Sequence, residues 1–580
     1  MAKVRRLAIT IKGGVSLGAY EAGALHQSLA LIARNNATDG STKWYVDVIT
    51  GASAGSMTAA STAVALIAGP DVNPPNPFYS AWVQDVSVSA LMPAGNSNIR
   101  DNLFDATRLD QIAARNVRLP FNALHPHPAF NPATVLKLAF TLSRLQTQPT
   151  TVPTWAGKLA YKEYADLARF DLSVDRPAKS AVTVKAYGVA ACSDAPQPQG
   201  PLNVVGDFNA AWRALVQAAI ASGSFPIAFE PRCLRRWKNN GWVNFYFVDG
   251  GLYDNDPVGE AINVAHETDW SDEDAQDRDR RFLIVHTEPS DLSPPTAYPL
   301  DGALQNIAAL EALGKIAGGF IKESQTFGLR GIGPVNDAIA KRFGLLNDLA
   351  LTVIGGAALP SLTTAVNAMA AARNITPNKL ADFRRWLVDD LVLAKDVELE
   401  ADPQRMARQL ADNVQSLNGT QRQAFTDLAL FYDLSANLID KVPVKPILIA
   451  PPRDDLAGDP LYGFGGFFDQ ALRDRDYKQG EFDAYNAWHQ ISQVPGEFDL
   501  SGAVPPPAPP PGDSLKPEQL KTYKSELAKF RERVKVVLDS LSSELVGGHG
   551  VLSWVETEAL KAILGTIGDW AIGKGTAPNS

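Results

Sequence analysis

The chain has 580 residues and a formal net charge of −9, with a pI of about 5.4. That length exceeds one ordinary core, so two or more compact units are expected, and 45% hydrophobic with 20% charged residues is the composition of a globular protein. The acidic balance weighs against nucleic acid as a partner and against simple attraction to anionic lipid, so any peripheral membrane contact should be mainly apolar.

In chain order, Val4 to Ile11 reads as a strand. Gly13-Gly14 then turns the chain, and Leu17-Gly-Ala-Tyr-Glu-Ala-Gly-Ala-Leu25 opens a helix. A Gly-rich loop before a helix presents free backbone N–H groups that suit a phosphate or an oxyanion. Neither Gly-x-Gly-x-x-Gly nor Gly-Lys-Ser/Thr is present, which argues against a nucleotide.

Residues 44–50 form a second strand-like run, rich in β-branched and aromatic residues. Gly51-Ala52-Ser53-Ala54-Gly55 follows at once, and a helical run begins at Ser56. Strand, Gly-x-Ser-x-Gly, helix is the setting of a nucleophile elbow, which would lift the Ser53 hydroxyl above a sheet and leave the Ala54 N–H at a helix N-terminus. A third strand-like run, Trp242 to Val248, delivers Asp249-Gly250-Gly251 to a strand's C-terminal end, where α/β sheets place their chemistry.

Elsewhere the chain is less specific. Residues 66–200 are Pro-rich and suggest scattered short helices forming a cap near the active-site mouth. The acidic run from Ser271 to Asp279 reads as a solvated loop, and residues 300–440 as mostly helical. Val442 to Ala450 resembles a late strand, after which 451–500 would pack back on the core. Pro505 to Gly512 reads as a stiff polyproline linker. Beyond it Leu520, Tyr523, Leu527, Phe530, Val534, Val537 and Leu541 form a heptad seam that can close on the apolar 552–571 stretch or on another chain, the route to self-association. A linker of this kind implies that the tail is dispensable for the chemistry of the core, whose candidate residues all lie before residue 260.

The resulting division is a catalytic core over 1–290 containing the 66–200 insertion, a helical insertion over 291–440, a return to the core over 441–504, the linker over 505–512, and a helical extension over 513–580. Cys192 and Cys233 are the only cysteines, too few for a disulfide scaffold and suited to a reducing compartment, hence a cytoplasmic expectation. The basic N-terminus runs into only five apolar residues before Gly13 and reads as a strand, not a signal peptide. The longest uncharged stretch, Leu349 to Ala372, is broken by Pro360 and several Ser and Thr residues, and reads as a buried helical pair instead of a membrane span.

Taken together, the chain resembles the patatin-like phospholipases, with a weaker likeness to the long bacterial members. The likeness rests on Gly13-Gly14-Val15-Ser16-Leu17-Gly18, Gly51-x-Ser53-x-Gly55 and Asp249-Gly250-Gly251 in that order. Ala221-Ser-Gly-Ser-Phe-Pro-Ile-Ala-Phe-Glu-Pro231 and Asn255-Asp-Pro257 add to it, with weaker matches at Phe464-Gly-Gly-Phe-Phe468 and Asp476-Tyr-x-x-Gly480. The resemblance implies an α/β fold: a three-layer α/β/α core with a mostly parallel sheet, large helical insertions and a C-terminal helical extension. It implies a lipid or phospholipid substrate and a Ser53–Asp249 catalytic dyad. It also implies an oxyanion hole from the N–H groups of Gly13, Gly14, Val15 and Ala54, with no cofactor and no metal.

Two departures stand out. Val15 replaces the family's third glycine, although a branched residue disfavours positive φ. Leu17 replaces an arginine, leaving Lys12 as the nearest cation. The competing readings are a Ser-His-Asp triad, for which His286 at the end of the 281–285 run is the best histidine, and a patatin-like scaffold that binds lipid or protein without turnover.

Overall fold

The computed structural model describes residues 3–69, 74–93, 102–118, 125–154, 157–175, 182–193, 208–238, 240–269, 280–288, 327–355, 362–393, 409–410, 412–436, 438, 444, 446–452, 456–458, 464–511 and 522–546. Its strands are β1 (Val4–Ile11), β2 (Lys43–Gly51), β3 (Leu136–Thr154), β4 (Gly157–Val174), β5 (Val182–Ala186), β6 (Val189–Ala191), β7 (Arg232–Lys238), β8 (Gly241–Asp249), β9 (Arg280–Val285) and β10 (Pro446–Ile449). All ten join one mixed sheet of an α/β fold, in the order β10-β9-β1-β2-β3-β8-β7-β6, with β4 and β5 continuing from the side of β3.

The sheet has two halves. From β10 to β3 every neighbour is parallel. β1 and β2 are buried along nearly their whole length, as expected of central parallel strands covered on both faces. Beyond β3 every pairing is antiparallel.

The longer helices in the first part of this body are α1 (Gly18–Ala37), α2 (Ala54–Ala68), α3 (Ala106–Asn116), α4 (Phe208–Ser222) and α5 (Val258–Asp269). A separate compact unit within Leu329–Lys445 holds nearly all of α6 (Phe327–Ile354) and the whole of α7 (Leu362–Ala372), α8 (Pro377–Leu393) and α9 (Gly419–Ala436). Inside it a buried Arg342–Asp433 ion pair at 3.1 Å ties α6 to α9. Pro360 and the 271–279 run lie outside the described residues. The chain then returns to the first body with β10, α10 (Gln470–Ser492) and α11 (Tyr523–Val546). Helices α1 and α10 approach so closely that a Cβ on Gly23 would lie 1.9 Å from the Tyr477 carbonyl. Among the described residues no helix is long and apolar enough to cross a membrane.

Three expectations are corrected. The 66–200 stretch is not mainly short helices: from Leu136 to Ala191 it supplies four strands. The period-2 pattern was present, since Ala168, Phe170, Leu172 and Val174 are buried while the residues between them are only partly so. The two cysteines are not free thiols. Cys192, just past β6, and Cys233 in β7 form a disulfide with Cα atoms 5.7 Å apart, a pairing more at home in an oxidising compartment than in the expected reducing one.

The third correction concerns the tail, which is docked. On α11, Phe530, Val534 and Val537 are buried in the core, with Tyr523 and Leu527 packed beside them. The Phe530 ring lies 5.3 Å from Phe468 and 6.1 Å from Phe104, between centroids. Glu526 accepts bonds from the Ser89 amide and hydroxyl, both at 2.6 Å. The seam thus has a partner within its own chain. Leu520 and the 552–571 stretch lie outside the described residues, as does the side chain of Leu541.

Candidate active site

Strand β2 ends at Gly51, and α2 starts at Ala54, leaving Ser53 on a turn with φ 51° and ψ −125°. That positive φ is the strained backbone of a nucleophile elbow. Gly55 is required by packing: a Cβ there would sit 2.4 Å from the Ile11 carbonyl oxygen and 2.7 Å from that of Lys12. The elbow is thereby pressed onto the end of β1. The Ser53 N–H donates to Ser222 Oγ at 2.9 Å, and Ser222 in turn bonds Ser56 Oγ at 2.8 Å.

Asp249 arrives from the opposite direction. Strand β8 is antiparallel to β3, and its last residue pairs with Leu142, close to where β2 ends beside Phe140. The two candidate catalytic side chains therefore meet: Ser53 Oγ donates to Asp249 Oδ2 at 2.6 Å. The other oxygen, Oδ1, accepts the Gly251 N–H at 2.7 Å. Both side chains are buried. Burial pushes the Asp249 carboxyl up to about 7, against the opposing pull of the bonds from Ser53 and Gly251.

The glycine loop lies beside them. A Cβ on Gly13 would fall 2.7 Å from Ser53 Cβ, which places this backbone against the nucleophile. Val15 adopts φ 53° despite its branched side chain, so the loop keeps the left-handed turn that a glycine would supply without strain. One expected donor is otherwise engaged. The Gly13 N–H donates to the Asn255 carbonyl at 3.2 Å, and the Asn255 amide donates back to the Gly13 carbonyl at 3.3 Å. The N–H groups of Gly14, Val15 and Ala54 have no hydrogen-bond acceptor among the described residues.

Lys12 is buried and points to Glu288, with Nζ 3.0 Å from Oε1. Burial lowers its pKa. Glu21 lies behind the loop, fully buried, and burial raises its carboxyl well above the ordinary range. His286 receives the Glu288 N–H on Nδ1 at 3.2 Å; burial, then the Lys12 charge, pushes it down to about 4. Among the described residues no histidine bonds Ser53 or Asp249, and His549 lies outside them.

Ser53 and Asp249 open onto an apolar cavity. Met57 and Ala60 of α2, Leu109, Ile112 and Ala113 of α3, and Val216, Ala219 and Ile220 of α4 line it, with Trp82, Phe464 and Phe467. Sequence reasoning singled out Ser53 and Asp249, which the structure brings into contact, but gave no role to Ser222, Asn255 or Phe464, although each lies in a segment that carried the resemblance. It did not anticipate that Ser16 Oγ accepts the Gly466 N–H at 3.1 Å, fastening the glycine loop to a segment 450 residues away.

The site thus consists of a serine on a strained strand–helix turn, hydrogen-bonded directly to a buried aspartate over an apolar cavity on an α/β sheet. The family is specific: residues 9–262 match the sequence model of the patatin-like phospholipases, and this part of the chain is a patatin-like phospholipase domain, of a family of lipid acyl hydrolases. A comparison with curated proteins gives no match.

Proposed function

We propose that the protein cleaves the carboxylic esters of phospholipids or lysophospholipids through a Ser53–Asp249 dyad and an acyl-enzyme. The observation that carries this reading is the 2.6 Å bond from Ser53 Oγ to Asp249 Oδ2 at the wall of an apolar cavity able to take an acyl chain. Ser53 Oγ attacks the ester carbonyl while Asp249 Oδ2 accepts its proton. The oxyanion that forms is met by the N–H groups of Gly14, Val15 and Ala54, the last at the N-terminus of α2, where negative charge is favoured. Asp249 then passes the proton to the departing alcohol oxygen. Water attacks the acyl-Ser53 carbonyl, again giving a proton to Asp249, and the collapse returns it to Ser53 Oγ as the acid leaves.

An ordinary aspartate, with a pKa of about 3.9, is a weak base at neutral pH. Burial supports the role here by bringing the Asp249 carboxyl to about 7, near the optimum for proton transfer. Labelling with a fluorophosphonate followed by peptide mapping tests the reading: Ser53 should carry the label, and Ser53→Ala should abolish ester hydrolysis while the protein stays folded. Full turnover by that variant would refute it.

A further inference from the structure

The strands that deliver Asp249 do not stop at the catalytic edge. Strand β3 runs in the same direction as β2, pairs with its last residue at Phe140, and continues to Thr154. Strand β8 descends antiparallel to it and reaches the edge only at Asp249, where it pairs with Leu142. The β7–β8 hairpin therefore extends from the side of the sheet that holds Ser53. From Gly241 to Asp249 it spans roughly 26 Å at about 3.3 Å per residue.

This ribbon has an unusual surface. On β8 Val243 is 44% exposed and Tyr246 48%, and on the adjoining β3 and β4 Leu145 is 52% and Leu159 60% exposed. Val243 and Tyr246 are an odd number of residues apart on one strand and so face opposite sides, which means that neither face of the ribbon is fully covered. At its tip Trp237 and Trp242 are directly opposite and pack edge to face, 5.4 Å between centroids, next to a tight turn with Asn240 at φ 64°. Over residues 232–248 the sequence carries no acidic residue, in a chain of net charge −9; of its four cations Arg232 is paired with Asp110 at 2.7 Å and the buried Arg236 with Asp166 at 2.9 Å, so the cations beside the tip are Arg235 and Lys238.

We propose that this ribbon docks the protein on a phospholipid surface. Aromatic rings with one polar edge favour the boundary between lipid and water, exposed aliphatic groups gain by entering it, and lysine and arginine meet anionic headgroups. The position fits: a hairpin standing on the catalytic edge would bring that edge towards the layer from which an ester must leave. The inference rests on the lipid hydrolase reading for its choice of partner, but not for its test.

The test uses the full chain with Ser53→Ala, so that the vesicles stay intact. Sedimentation with vesicles of phosphatidylcholine containing phosphatidylglycerol should show binding. Adding Leu145→Thr, Val243→Thr and Tyr246→Thr, which keep strand propensity, should weaken that binding roughly a hundredfold through loss of three apolar contacts. With Ser53 restored, the triple variant should hydrolyse a soluble short-chain ester as the parent does. Leu145→Thr with Leu159→Thr, confined to β3 and β4, carries the same expectation if the triple variant does not fold. Failure of the parent to bind vesicles, or equal binding by the variants, overturns the proposal. So does a parent that is dimeric where the variants are monomeric, since the patch would then be an interface between copies. Vesicle binding by the Ser53→Ala chain together with no soluble-ester hydrolysis by the chain that retains Ser53 refutes the hydrolase reading and leaves the ribbon standing.

Discussion

Replacing Asp249 by asparagine should make the protein inactive and, at alkaline pH, more stable. The carboxyl is held at about 7 in the folded chain against a reference of 3.8. The folded state therefore keeps this proton more tightly than the unfolded chain. The stabilising contribution of the group is complete below about pH 4 and is lost as pH rises through about 7. At about pH 8 the buried carboxylate burdens the fold by at most about 4 kcal/mol, whereas near pH 5 the figure is roughly 2 kcal/mol. Asparagine escapes the charge, can still accept the Gly251 N–H and can still bond Ser53. The gain in unfolding free energy of Asp249→Asn over the parent, read from denaturant melts, should thus grow between pH 5 and pH 8 by roughly 2 kcal/mol. Activity follows the opposite course. The base must be ionised, so kcat/KM of the parent on a soluble ester should fall about tenfold per pH unit below about 7, and be roughly a hundredfold below its plateau at about pH 5. A pH-independent stability difference, or a rate profile that turns near the ordinary carboxylate value of about 4, would refute the reasoning.

Val15→Gly should keep soluble-ester turnover and stabilise the fold by about 1 kcal/mol, because relief of the left-handed strain outweighs the added freedom of the unfolded chain; an order-of-magnitude loss of kcat would show that the valine side chain is needed. His286→Ala should leave kcat and its pH profile nearly unchanged, since the ring bonds Glu288 and not the dyad; loss of the limb near pH 7 would point to the histidine as base. Phe530→Ala should destabilise by about 3 kcal/mol through the cavity it leaves against Phe104 and Phe468, and deletion of 512–580 should destabilise more. A deletion that melts as the full chain does would show that the docked helix adds nothing to the core's stability, while soluble-ester turnover by the deleted protein tests the sequence-based expectation that the tail is dispensable for activity.

The half of the fold that holds Ser53 was legible because its information is local. A strand, a Gly-x-Ser-x-Gly turn and a helix follow one another within residues 43–68, and each glycine answers to a backbone contact a few ångströms away. The strand ending in Asp249 was equally plain, but its pairing with β3 was not, because the alternation in 136–174 was hidden among prolines and charged residues. The engagement of the Gly13 N–H by Asn255 joins residues 242 positions apart, which no local pattern encodes. The heptad seam was read correctly as an apolar stripe; a stripe specifies that something covers it, not what, and here the cover is Phe104 and Phe468 of the same body. The disulfide was missed because two cysteines 41 residues apart carry no sign that β6 and β7 will be neighbours.

The family match ends at residue 262, yet the glycine loop is held from well beyond it. Gly466 donates to Ser16 Oγ, and its own carbonyl accepts Arg473 Nη1 at 2.7 Å while Arg473 Nε donates to the Val83 carbonyl at 3.0 Å. Asp476 accepts the N–H groups of Ala457 and Gly458, both at 2.7 Å, and a Cβ on Gly458 would come within 3.2 Å of Ser16 Oγ. These bonds rest on α10, which is seated against α1, the helix that the glycine loop opens. Sending the chain through a separate helical unit between β9 and β10 costs little, since each doubling of a loop adds only about 0.6 kcal/mol to closure. The fold can therefore insert a large unit and still recover β10 and α10 as parts of the same body. What the return segment contributes is rigidity where the backbone is strained. Val15 holds a left-handed conformation at φ 53°, and such a conformation persists only where neighbours over-determine it. Ser16, one residue on, is where the distant segment takes hold.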